Sequence, residues 1–175
     1  MSAGYKAITL ALHPSSKGFS WVAFSNPFTI EDFGTVGTRA PGKNAKCLRR
    51  IEKLISRLQP GILVLEAFEP GQSVRATRIT KLGRAIVCYA IAERIDVAIF
   101  SFKEVQQQFV HLGATTRQDI AEAIGRLFPL LARHLPNRRR AWESEKWRLS
   151  LFCAAALGLT SYQRNAQNLL QALGS

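Results

Sequence analysis

Apolar and polar positions along the first third of the chain fall into three short runs, about Lys6 to Leu12, Phe19 to Phe24 and Thr29 to Gly34. Pro14, Gly18, Asn26 and Pro27 punctuate them, so the pattern predicts three strands joined as an antiparallel meander. The period then lengthens. Cys47, Leu48, Ile51, Leu54, Ile55 and Leu58 recur at helical spacing, with basic residues between them, predicting an amphipathic helix from about Asn44 to Leu58. Pro60 and Gly61 open an unbroken apolar run, Ile62 to Glu66, which reads as a buried strand. A loop at 67–73 precedes a helix from about Val74 to Arg94, and Asp96 precedes a second buried strand, Val97 to Phe100. Ser101 and Glu104 are spaced as a capping box, so a short helix should start there and end before Gly113. Thr116 and Asp119 form a looser version of that box, opening a helix that ends near Leu127. Pro136 to Ala141 reads as a basic loop. Ser144 is the expected cap of a last helix through Ala154, Ala155, Ala156 and Leu157, with a break near Gly158. The tail at about 161–173 is amphipathic through Tyr162, Ala166, Leu169, Leu170 and Leu173.

A meander followed by helix–strand alternation implies an α/β protein: a mixed five-stranded sheet, its first three strands antiparallel, with helices on both faces. At 175 residues and 47% hydrophobic content, the chain suits one domain spanning 1–175. No apolar segment is long enough to span a bilayer, and the N-terminus lacks the apolar run of a signal peptide. The expectation is a cytoplasmic protein with no membrane partner. Cys47, Cys88 and Cys153 match neither a disulfide framework nor a zinc motif, and buried thiols are expected at Cys47 and Cys88.

Charge adds a partner. The formal net charge is +12. It gathers in three blocks: Arg39 to Arg57; Arg75, Arg78, Lys81 and Arg84; and Arg133 with Arg138, Arg139 and Arg140. A clustered cationic excess predicts a polyanionic partner, and nucleic acid fits better than membrane because no block accompanies a strongly apolar helical face.

Two strand tips carry chemistry. Ile8 to Leu12 leads to His13, and Leu63-Val64-Leu65 leads to Glu66. A carboxylate at the end of a buried strand needs a cation, a metal or a reaction to offset its desolvation. His13 and Glu66 are therefore the candidate metal ligands.

Four stretches in this order, Leu10 to Gly18, Leu63 to Glu66, Val105 to Arg117 and Cys153 to Thr160, resemble the RuvC branch of the RNase H-like superfamily, the Holliday-junction resolvases. The resemblance implies an RNase H-like fold and a site in which four carboxylates bind two magnesium ions. Only Glu66 keeps its carboxylate. The first family aspartate falls on His13, and the last-helix pair falls on Ser150 and Cys153. Arg117 stands for a family lysine, and Gln106 takes another basic position. The resemblance thus assigns the catalytic positions to His13, Glu66, Ser150 and Cys153. It implies that these four share a shallow cleft, rimmed by Lys17, Arg117 and Arg138 to Arg140. Lys17, Arg75, Arg78, Arg117, Arg138, Arg139 and Arg140 are the expected nucleic-acid contacts.

Three readings of the site follow. In the preferred one, the chain binds branched or structured nucleic acid, DNA rather than RNA, and has lost strong hydrolysis. In the second it is an active metal-dependent endonuclease that recruits another acid from Glu69, Asp119, Glu143 or Glu145. In the third, His13, Glu66 and Cys153 hold a softer metal such as zinc. The cofactor is magnesium or manganese if the site is active and none if it is not. A non-enzymatic alternative is an interaction module with a basic face, its amphipathic tail forming a homodimer. Trp21 and Phe24 are expected in the core, and His111 and His134 on the surface.

Overall fold

Alternation along each strand decides which layer a side chain enters, and here it also aims the candidate site. In the computed structural model, which describes residues 7–68, 74–138 and 147–174 (without the side chains of 74 and 75), five strands form one sheet. They are β1 (Thr9–Pro14), β2 (Gly18–Asn26), β3 (Thr29–Gly37), β4 (Ile62–Glu66) and β5 (Asp96–Phe100), in spatial order β3-β2-β1-β4-β5. The first three are antiparallel, and β4 and β5 add in parallel. The helices are α1 (Lys43–Leu58), α2 (Val74–Ala92), α3 (Phe102–Phe109), α4 (Arg117–Leu127), α5 (Pro129–Ala132) and α6 (Leu149–Leu173). The mixed five-stranded α/β sheet matches the sequence expectation.

On one face of the sheet, Leu10, Leu12, Phe19, Ala23, Leu63 and Leu65 pack against α1 and α2 through Cys47, Ile51, Leu54, Leu82 and Ile86. On the other, Ala11, Val22, Phe24 and Val64 pack against α3, α4 and α6. The two-residue period runs on past Ala11 to His13 and past Val64 to Glu66, so both polar tips enter the α6 layer. β1 and β4 are direct parallel neighbours, with Leu12 opposite Leu65. His13 and Glu66 therefore end adjacent strands on the same face.

Both capping boxes are closed. The Ser101 hydroxyl accepts the Glu104 amide at 3.2 Å and the Glu104 carboxylate accepts the Ser101 amide at 2.8 Å. The Thr116–Asp119 box has the same reciprocal pair at 3.1 Å in each direction. These boxes fix where α3 and α4 begin, and so place Arg117 as the first residue of α4.

Several expectations need correction. β1 extends to Pro14, so His13 lies inside the paired strand. Cys88 is exposed and only Cys47 and Cys153 are buried, because Cys88 falls on the outer stripe of α2. Trp21 is half-buried, whereas Phe24 is fully buried. α6 does not break near Gly158 but runs unbroken to Leu173. Glycine is there for closeness: a Cβ at 158 would sit 2.4 Å from Phe24 Cε2. The described residues start α6 at Leu149, with Arg148 as N-cap and no side-chain cap, and Ser144 lies outside them. His111 and His134 are exposed, as expected. Among the described residues no helix is long and apolar enough to cross a membrane.

Candidate functional site

The carboxyl ends of β1 and β4 open toward the first turns of α4 and α6, and four elements each send in a side chain. His13 comes from β1 and Glu66 from β4. Ser150 and, one turn on, Cys153 come from α6, where i and i+3 share a face. Arg117 comes from the start of α4. The His13 Nδ1 lies 2.9 Å from Ser150 Oγ, and the same hydroxyl lies 2.9 Å from the His13 carbonyl oxygen. The His13 Nε2 is 3.4 Å from Glu66 Oε2. Arg117 grips Glu66 with two bonds, Nη2 to Oε1 at 2.5 Å and Nη1 to Oε2 at 2.9 Å. Its Nη1 also reaches Cys153 Sγ at 3.5 Å.

Proton accounting limits this network to two arrangements. Ser150 has one hydroxyl proton. If it goes to the His13 carbonyl, then Nδ1 must donate to Ser150. Nε2 then faces Glu66 favourably only if it too is protonated, which makes His13 cationic. If instead Ser150 donates to Nδ1, a neutral His13 donates from Nε2 toward Glu66, but the 2.9 Å contact of Ser150 with the His13 carbonyl is left without a proton. In both arrangements, Glu66 meets an N–H from His13.

Burial pushes the Glu66 carboxyl up, but His13 and then Arg117 outweigh it by hydrogen bonding and charge and hold it at about 2. Burial likewise opposes the Arg117 charge, and Glu66 more than restores it, so the guanidinium stays protonated. A cation in the first turn of a helix opposes the helix dipole. Arg117 tolerates that position because Glu66 sits opposite and the Phe102 ring lies under the guanidinium, 4.0 Å from centroid to Cζ.

The four candidate positions therefore converge as expected, but not around an open cleft. Arg117 stands inside the cluster, and a cavity of only about 10 Å³ remains among Glu66, Phe102, Arg117 and Cys153. Lys17 lies 5.7 Å from the Trp147 ring, next to the start of α6. Arg78 is turned inward: Nη2 donates to the Ser15 carbonyl at 2.8 Å and Nη1 to Asn44 Oδ1 at 3.1 Å, bracing the turn after His13. Lys43 braces it too, donating to the Ser16 carbonyl at 2.9 Å. Arg138 pairs with Asp119 and Glu122 at 3.1 and 2.7 Å on the surface. The Arg75 side chain, Arg139, Arg140, Glu69, Glu143 and Glu145 lie outside the described residues. Asp119 is committed to its capping box and Arg138. Gln106 donates to the Thr115 carbonyl ahead of α4. Sequence reasoning placed Arg117 on the rim and missed Phe102, which follows the Ser101 cap and carried no charge to mark it.

These residues do not fit a pair of magnesium ions. Magnesium needs several hard oxygen ligands, and here one carboxylate has both oxygens engaged by a guanidinium. They do not fit zinc either, because Arg117 bridges Glu66 and Cys153. Among the described residues no group of three His, Cys, Asp or Glu could hold a metal ion.

No family model matches this chain, and no curated protein sequence matches it. Solved structures do. The chain is similar to Thermus thermophilus RuvC in complex with Holliday junction substrate (TM-score 0.63, 13% identity, 91% of this chain and 96% of that one). A second Thermus thermophilus RuvC structure gives TM-score 0.63 and 14% identity over the same shares of the two chains. The yeast mitochondrial Holliday junction resolvase gives TM-score 0.63 and 13% identity, over 93% of this chain and 81% of that one. Identity this low carries the fold alone, and the strand order and helix layers agree with it: the chain has a RuvC-like, RNase H-like fold.

Proposed function

We propose that this protein binds branched or structured DNA on a RuvC-like scaffold and hydrolyses it weakly or not at all. The observation that carries the reading is the Glu66–Arg117 pair. The one carboxylate retained from the family pattern is neutralised by a built-in cation, where hydrolysis would call for metal ions and further carboxylates. The net charge of +12 and the known DNA substrate of the similar Thermus structure support nucleic acid as the partner. The fold favours the carboxyl ends of β1 and β4 as the binding edge, with Lys17 beside it.

The test is a four-way junction offered to the purified protein with magnesium and, separately, with manganese, beside a Glu66→Ala control. Expected are binding that weakens steeply with salt through counterion release, and cleavage no faster than the control. Metal-dependent cleavage that Glu66→Ala abolishes would mean that acids outside the described residues complete a working site.

A further inference from the structure

A second feature lies on the opposite face of the sheet, where α1 only partly covers β2 and β3. There a groove of about 460 Å³ has Phe19, Trp21 and Val36 as its floor and Arg50, Lys53 and Arg57 as its wall. Its volume is in the range of small-ligand sites. The floor is built, not incidental. Trp21 pairs across the strands with Gly34, and a Cβ at 34 would come within 2.4 Å of Trp21 Cη2, so the indole packs directly against the glycine. The indole Nε1 donates to Asp32 Oδ2 at 3.2 Å, which satisfies the polar edge of the ring and pins it. The same Asp32 oxygen accepts Arg57 Nη2 at 2.6 Å, tying the floor to the wall. Phe19 supports the ring with a centroid separation of 5.8 Å.

The wall continues along α1. Arg50, Lys53 and Arg57 follow helical spacing, and Lys46 and Arg49 join Arg50 and Lys53 around an adjacent hollow of about 260 Å³. From Lys46 to Arg57 the row runs on the order of 16 Å at the helical rise. That length suits several successive phosphates. Arg50 and Lys53 are exposed and carry no ion pair among the described residues.

We propose that this groove binds single-stranded nucleic acid, with one unpaired base against Trp21 and its phosphates along the Lys46–Arg57 row. The cationic row selects a polyanion. The flat aromatic floor selects a free base face, which duplex DNA and inorganic phosphate do not offer. The inference rests on the reading above only for the class of partner, and adds a second ligand form at a second place.

The experiment compares a labelled oligothymidylate with an abasic oligomer of equal length by fluorescence anisotropy, with oligoglutamate as competitor. The wild-type protein should prefer the oligothymidylate by roughly tenfold, the usual gain from one stacked base. Trp21→Leu should erase that preference while leaving abasic affinity unchanged. The pair Arg50→Gln with Lys53→Gln should weaken both oligomers alike and reduce the salt slope by roughly 1.4. If Trp21→Leu does not fold, Trp21→Phe takes its place and the preference should shrink. Equal binding of the two oligomers, an unchanged preference in the Trp21 variants, or equal competition by oligoglutamate would overturn the groove. Junction binding by the same proteins separates the two readings. If it persists without base preference, the groove alone is wrong. If it is missing while oligothymidylate still binds with base preference, the junction reading alone is wrong.

Discussion

Two carboxylate–arginine pairs in this protein have nearly the same contact distance and opposite surroundings. Arg117 meets Glu66 at 2.5 Å, with side-chain exposures of 26% and 18%. Arg57 meets Asp32 at 2.6 Å, with exposures of 59% and 28%. Distance alone would rank them together, but burial separates them. Breaking the first leaves a charge among Phe102, Val105 and Leu157 with little room for water. Breaking the second returns both groups to solvent, so it should change stability little. The inner pair ties β4 to the start of α4. The outer pair aims an indole.

The largest expected effect is therefore at the inner pair. Arg117→Ala should destabilise the protein by about 2 kcal/mol, less than the cost of orphaning a fully buried charge, because His13 still faces Glu66 at 3.4 Å. Urea denaturation measures this. Arg117→Lys should recover only part of the loss, because an ammonium cannot make the two-pronged contact. A loss below about 1 kcal/mol would put the inner pair in the same class as the outer one.

Acid should sharpen the same contrast. Glu66 ionises at about 2 in the folded protein, against an ordinary value of 4.5. As pH falls, the unfolded chain takes the proton first. The stabilisation is then fully present above about 4.5 and lost as pH falls through about 2. Asp119, also held at about 2 by its Thr116 hydrogen bonds, contributes a slope of the same sign. Urea curves at neutral and acid pH should show a shallower acid loss in Glu66→Gln than in wild type, with the Asp119 share remaining. Identical acid slopes would mean that Glu66 is not the titrating group.

The smallest effect belongs to the outer pair. Asp32→Ala should cost less than about 1 kcal/mol, yet move Trp21 emission to longer wavelength as the indole loses its anchor. A large stability loss there would erase the distinction between the two pairs.

How much of this was legible in the sequence depended on periodicity. The five strands, the antiparallel pairing of the first three and both capping boxes could be read because apolar spacing and turn residues are local signals. His13 and Glu66 could be singled out because each ends an apolar run, and the resemblance implied that they meet; the alternation that sends both to one face needed the β1–β4 register. The role of Arg117 could not be read. Nothing local distinguishes an arginine at a helix start that faces solvent from one that reaches across to β4. Arg78 misled for the same reason, since a basic side chain spent on backbone carbonyls looks like any other cation in a list of residues. The Gly158 break was an error of a different kind. Glycine weakens a helix in isolation, but tertiary contact decided the matter, because α6 must lie close to Phe24.

That closeness reaches further than packing. Ser150 stands eight residues before Gly158 in one uninterrupted helix, about 12 Å away at the helical rise. The glycine is the fulcrum and the first turn of α6 is the end of the lever. A methyl group at 158 would prise the helix off Phe24, and a small tilt there would be magnified into a displacement of Ser150 from His13 and of Cys153 from Arg117. The alignment of the polar cluster is thus governed from a buried position, a glycine held against Phe24.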